Sequence, residues 1–125
     1  MQYVIGKEDA LFVEAKNPDR VIRLWVDRER GAKNISCGSC EIPVNSQIPY
    51  HSHEKEEEIM FIYRGKGILE VEEGETFPLE PETVVYVPPG IKHVFKNTGS
   101  EPLCFVFFYA PPGPEQIIRK MANSK

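Results

Sequence analysis

The stretch His51-Ser52-His53-Glu54-Lys55-Glu56-Glu57-Glu58 decides the fold, because it sets two imidazoles and a carboxylate close together and runs straight into the apolar segment Ile59-Met60-Phe61-Ile62-Tyr63. Side chains of an extended strand alternate faces, so His51 and His53 point the same way, two rises of ~3.3 Å apart. That spacing suits two ligands closing on one cation. A strand beginning at Glu58 brings a carboxylate to the same ion from a neighbouring ladder position. An ion of this kind takes more protein groups than one hairpin supplies, and a single histidine is left in the chain. His93 follows Val87-Pro88-Pro89-Gly90-Ile91-Lys92, a strand end and a tight turn, and opens the run His93-Val94-Phe95. A bare HxH is more often two solvated or core histidines than a metal site. Three histidines, each at a turn–strand junction, shift that balance toward a site.

The full pattern resembles the cupin family. His51, His53, Glu58 and Gly65 match the first motif of that family, G-x5-H-x-H-x(3,4)-E-x6-G, and Pro88, Gly90, His93 and Asn97 match the second, G-x5-P-x-G-x2-H-x3-N. The opening Gly of each motif is replaced, by Asn45 in the first and Glu82 in the second. Asn tolerates a left-handed turn conformation better than most residues; Glu82 leaves the geometry of the turn before the second motif open. Both Glu57 and Glu58 fit the permitted gap after His53, and counting six residues back from Gly65 selects Glu58. Glu54, Glu56 and Glu57 then read as a solvated acidic lip. The resemblance implies an all-β, double-stranded β-helix (jelly-roll) barrel holding one divalent transition metal ion on His51, His53, Glu58 and His93.

Length and composition bound the rest. A chain of 125 residues is one domain by prior, with room for a single core. It divides into N-terminal outer strands over 1–34, the barrel over 35–110, and a tail with a short helix over 111–125. The formal net charge of −4, with lysines and arginines interspersed, argues against nucleic acid as a partner. No apolar run approaches the ~20 residues of a membrane span, and the start lacks the pattern of a secretory leader. The expected setting is therefore cytoplasmic. Cys37-Gly38-Ser39-Cys40 has the spacing of a redox or zinc pair, but on a strand these two thiols face opposite ways with Cα atoms about 10 Å apart, too far for a disulfide. Cys104 sits in an apolar strand and reads as core.

In order, Tyr3-Val4-Ile5, Ala10 to Val13 and Val21 to Val26 read as outer strands, followed by a strand over 35–42. Ile68 to Glu72 pairs with Thr76-Phe77 across a Glu73-Gly74 hairpin turn, and Val84 to Val87 leads into the second motif. The last strand, Leu103 to Tyr109, is apolar on both faces; one face fills the barrel and the other needs cover from the N-terminal strands or a second subunit. The resemblance favours a homodimer. Pro114-Glu115-Gln116-Ile117-Ile118-Arg119-Lys120-Met121 reads as a helix starting at Pro114, with Ile117, Ile118 and Met121 on one packing face.

Three imidazoles and a carboxylate suit Fe(II), Mn(II), Ni(II), Cu(II) or Zn(II) and leave one or two positions open. An ion so held can polarise a carbonyl, stabilise an enolate or bind dioxygen. The leading reading is a metalloenzyme of dioxygenase, isomerase or lyase/decarboxylase type, acting on a small oxygen-rich molecule inside the barrel. The rival is a non-enzymatic small-ligand, metal-binding or sensor protein. Tyr50, Tyr63, Tyr86 and Glu41 are the candidate bases, and Arg23 or Arg64 the candidate receptors for a substrate carboxylate.

Overall fold

The computed structural model describes residues 2–123. Ten strands are present: β1 Leu11–Ala15, β2 Arg20–Val26, β3 Ser36–Ile42, β4 Gln47–His51, β5 Glu57–Arg64, β6 Gly67–Val71, β7 Thr76–Leu79, β8 Thr83–Val87, β9 His93–Asn97 and β10 Leu103–Ala110, with one helix, α1 Gln116–Asn123. They form two antiparallel sheets, ordered β1-β2-β3-β10-β5-β8 and β4-β9-β6-β7. This is the all-β jelly-roll that the motifs imply.

Alternation decides which side chains fill the space between the sheets. On β10, Leu103, Phe105, Phe107 and Tyr109 point inward; β3 contributes Cys40 and Ile42, β5 Met60 and Ile62, and β2 Ile22 and Leu24, all buried. Each large apolar side chain so enclosed contributes roughly 2 kcal/mol of transfer free energy. Gly38 belongs to the same inward row of β3, and a Cβ there would strike the Phe107 ring and the Arg23 carbonyl. The missing side chain is what lets Phe107 lie across the sheet. Cys37 and Cys40 fall on opposite faces of β3 and, like buried Cys104, are free thiols.

Three local expectations are corrected. Tyr3-Val4-Ile5 forms no strand, and Tyr3 and Val4 are exposed; the segment finds no ladder partner before the 3-10 turn Lys7–Asp9. The β6–β7 hairpin pairs Glu70 with Thr76, but it closes through a 3-10 turn over Glu72–Gly74 rather than a two-residue turn. The helix starts at Gln116, not Pro114. Ile118 is buried while Ile117 is exposed, as expected for residues ~100° apart at the centre and edge of one apolar stripe.

The two replaced glycines keep a glycine-like backbone, with φ of +66° at both Asn45 and Glu82. Glu82 donates its N–H to the Ile62 carbonyl at 2.8 Å, which ties the turn to β5 and holds a conformation that side chains with a Cβ adopt at a cost of about 1–2 kcal/mol. Glu82→Gly is expected to raise stability by about 0.5–1 kcal/mol, seen as a higher denaturant midpoint at unchanged slope. An unchanged or lower midpoint would count against strain at this turn.

Asn97, buried at the end of β9, accounts for its place in the second motif. Its amide donates to the Ile42 and Glu101 carbonyls, both at 2.9 Å, and its oxygen accepts from Gly99 N–H at 2.9 Å. The residue closes the turn into β10 and stitches it to the end of β3.

Candidate metal centre

His51 and His93 are partners across the β4–β9 ladder of the four-stranded sheet. Glu58 comes from β5 in the opposite sheet, where it pairs with Tyr109 of β10. His53 lies just past the end of β4 rather than within the strand. The chain turns there, and Gly90 N–H from the tight turn of the second motif bonds the His53 carbonyl at 2.7 Å. One potential ligand atom from each of His51, His53, Glu58 and His93 lies within 4.8 Å of the others. The sheets thus bring together the four residues that the motifs select.

Backbone carbonyls set the rings. Nδ1 of His51 lies 2.7 Å from the Pro49 carbonyl oxygen and Nδ1 of His93 lies 2.9 Å from that of Ile91. A carbonyl only accepts, so Nδ1 carries the proton in both rings and the Nε2 lone pair is left for an electrophile. Nε2 of His53 and of His93 stand 3.5 and 3.3 Å from Glu58 Oε1, yet these three buried atoms have no hydrogen-bond partner. Leaving buried polar atoms unpaired costs about 1–3 kcal/mol each. A divalent cation between them would remove that cost, and the neutral-nitrogen and carboxylate donor set fits one.

Protonation favours the same use. Burial alone would raise the Glu58 carboxyl, but the His53 and His93 imidazoles beside it outweigh burial and hold it at about 2. Burial pushes the His51 imidazole below its ordinary value, against the smaller opposing effect of the Pro49 carbonyl. At neutral pH the cluster therefore presents an ionised carboxylate and a neutral His51, the forms that bind metal. Glu57 is solvent-exposed and accepts a hydrogen bond from the Tyr86 hydroxyl at 2.7 Å. Glu58→Gln is accordingly expected to weaken binding of a divalent metal far more than Glu57→Gln in the same titration. Equal loss from both would contradict the choice of Glu58.

The cluster lies in a cavity of about 290 Å³ whose apolar walls include Met60, Phe95, Phe105 and Phe107, with Ile117, Ile118 and Met121 of α1. None of Tyr50, Tyr63, Tyr86 and Glu41 lines it. Tyr63 and Tyr86 occupy the outward positions of β5 and β8, Glu41 the outward row of β3, and Tyr50 is exposed beside the bulge of β4. The four candidate bases are thus on the wrong side of their strands. Arg23 lies over the outer Phe12 ring, 5.0 Å from its centroid, and Arg64 pairs with Glu101 at 3.4 Å in solvent. Neither reaches the cavity. Tyr109, which sequence reasoning passed over, does: its ring packs edge-on to His53 at 5.0 Å, and burial, followed by the Glu58 carboxylate, pushes its hydroxyl well up. Inward parity with Phe105 and Phe107 was the available signal for it.

The model of the cupin domain matches residues 38–109, more than half of the chain. The chain belongs to the cupin family. Over 64 residues this cupin is 45% identical to a glucose-6-phosphate isomerase of Thermococcus gammatolerans, a match covering 48% of the chain but only 34% of that protein. Among solved structures, it resembles a predicted oxalate decarboxylase from Thermotoga maritima with a TM-score of 0.77 at 22% identity, covering 87% of this chain and 99% of the other. It also resembles the polyketide cyclase RemF from Streptomyces resistomycificus, with a TM-score of 0.78 at 20% identity, covering 91% and 82%. These structural likenesses establish the shared barrel. Among the described residues, no helix is long and apolar enough to cross a membrane.

Proposed function

We propose that this cupin is a metal-dependent enzyme that acts on a small oxygen-rich molecule, with His51, His53, Glu58 and His93 holding one divalent transition metal ion in the cavity. The observation that carries the reading is the convergence of His53 Nε2, His93 Nε2 and Glu58 Oε1, buried and without partners, on one point. Four protein ligands would leave one or two coordination positions of a bound ion for an incoming carbonyl, hydroxyl or dioxygen. Apolar walls keep bulk water from competing there and strengthen the electrostatic effect of the ion on a bound oxygen. The glucose-6-phosphate isomerase that matches over 64 residues supports isomerase chemistry over storage.

The test is turnover. Protein reconstituted in turn with Fe(II), Mn(II), Ni(II), Cu(II) and Zn(II) is incubated with sugar phosphates, hydroxy and keto acids and polyphenols, in air and without it. Turnover with one metal that disappears in His51→Ala supports the enzyme reading. Binding without turnover under every condition would favour the non-enzymatic ligand-binding reading.

A homodimer is the proposed assembly. Ile59, Phe61, Val84 and Tyr86 are 40–61% exposed on the outward rows of β5 and β8, a contiguous apolar face of the six-stranded sheet. Light scattering at micromolar concentration is expected to give twice the 14.3 kDa chain mass, and Phe61→Lys to halve it. A monomeric native peak would contradict this.

A further inference from the structure

Among the described residues, Arg20 is the one lysine or arginine lining the metal-site cavity. It starts β2 and shares the inward row with Ile22 and Leu24, both buried, whereas Arg23 on the other row faces out over Phe12. Its side chain is half-buried, and Nη1 donates to the Pro18 carbonyl at 2.8 Å. That bond uses one of five guanidinium N–H groups and holds the head in place. No carboxylate among the described residues forms an ion pair with it. The charge is felt inside the barrel: burial pushes the Cys40 thiol up to about 12, and Arg20 pulls against that rise. An inward arginine that forms no ion pair, in a cavity whose one carboxylate, Glu58, belongs to the histidine cluster, lacks the close counter-charge that a partly desolvated guanidinium requires.

We propose that Arg20 is an anion anchor and that the cavity takes an organic carboxylic acid, its carboxylate on Arg20 and its apolar body against Met60, Phe105 and Phe107. Guanidinium and carboxylate match in planar geometry and form paired charge-assisted hydrogen bonds. A phosphate ester dianion fits the metal-free cavity less well, since a single guanidinium sharing the cavity with the Glu58 carboxylate would leave most of its charge unmatched. An oxygen-bearing far end of the ligand would then face the histidine cluster. That orientation rests on the proposed metal function; the anchoring at Arg20 does not.

The test uses 4-phenylbutyrate and its neutral amide, titrated at pH 8 into metal-stripped native protein, with Met60 and Met121 methyl resonances as the readout. The acid is expected to bind about tenfold more tightly than the amide. Arg20→Gln brings the acid to the amide's level while the amide's affinity stays unchanged, which also shows that the variant is folded; Arg20→Lys keeps part of the preference. In His51→Ala the preference persists, so a failure of the metal reading leaves this result standing. Equal binding of acid and amide, a preference that survives Arg20→Gln or is lost in His51→Ala, or no binding of either probe at millimolar concentration would each overturn the proposal.

Discussion

His93→Ala is expected to lower affinity for a divalent transition metal by more than about 100-fold while leaving the β-sheet circular dichroism in place. His93 is almost fully buried, its ring orientation is fixed by the Ile91 carbonyl, and its centroid lies 4.2 Å from that of His51. No other imidazole can move into its position, because the chain has three and the other two already face the same point. A ligand that binds only the folded state stabilises it by about 4 kcal/mol at a thousand times its dissociation constant. The native protein should therefore melt at a higher temperature with metal than without, and the variant should gain no more than about a third of that stabilisation at the same metal concentration. The fold survives because Phe95, Phe105, Ile42 and Leu103, not the histidines, make up the core. An unfolded variant, or undiminished metal-induced stabilisation, would show that His93 has a different role.

Asp27→Ala is the substitution expected to cost most stability, about 3 kcal/mol. Asp27 follows β2 and is 1% exposed. Its carboxylate accepts from Arg119 Nε at 2.6 Å, Arg119 Nη2 at 2.8 Å, Gln116 Nε2 at 3.2 Å and Glu29 N–H at 3.1 Å. Glu29 completes the clamp with a 2.8 Å contact to Arg119 Nη1. Removing one partner of such a pair costs about 3–5 kcal/mol because the other charge is left without its match; Arg119 is partly open to water, which puts the expected value at the low end. Glu115, fully buried, adds a second tie by accepting from Ser36 Oγ at 2.6 Å. These bonds seat α1 on the barrel, and through Ile117, Ile118 and Met121 the helix segment forms part of the cavity wall. Hence Asp27→Ala should also weaken ligands that fill the cavity.

The same clamp gives a pH dependence. The Arg119 hydrogen bonds hold the Asp27 carboxyl below its ordinary value of 3.8, against the opposing effect of burial. A carboxyl depressed in the folded state contributes stability that is fully present above its unfolded value and is lost as pH falls through the folded one. Native protein should therefore lose stability as pH falls below about 4, and Asp27→Ala should lose less over that interval. Parallel losses would remove Asp27 as a source of the effect. Metal-free protein is the proper sample for this comparison, although Glu58 contributes a further loss between 4.5 and about 2 in both proteins.

The barrel and the four clustered residues were legible because both depend on local spacing. Motif distances select His51, His53, Glu58 and His93 without knowledge of strand pairing, although His53 lies past the end of β4 and is placed by the turn there rather than by strand alternation. Pairing itself was not legible. Tyr109 meets Glu58 only because β10 and β5 adopt a particular register, and Arg20 reaches the cavity only because β2 joins β3 in the six-stranded sheet with its even-numbered residues inward. Arg23, Tyr63, Tyr86 and Glu41 were plausible from residue type alone, yet a one-position change of parity separates them from the cavity. The helix onset was obscured for another reason. Pro114 is a favoured first helical residue, but Glu115 is recruited by Ser36 and Gly113, a tertiary contact that no local signal carries.

The most direct test of the central claim is elemental analysis of untagged protein purified without chelator, with His51→Ala prepared alongside. Close to one equivalent of iron, manganese, nickel, copper or zinc per chain, absent from the variant, is the result that a three-histidine, one-glutamate centre predicts. Native protein that carries no metal after reconstitution with each ion in turn, or metal that persists in His51→Ala, would contradict it and make the histidines polar lining of a ligand pocket.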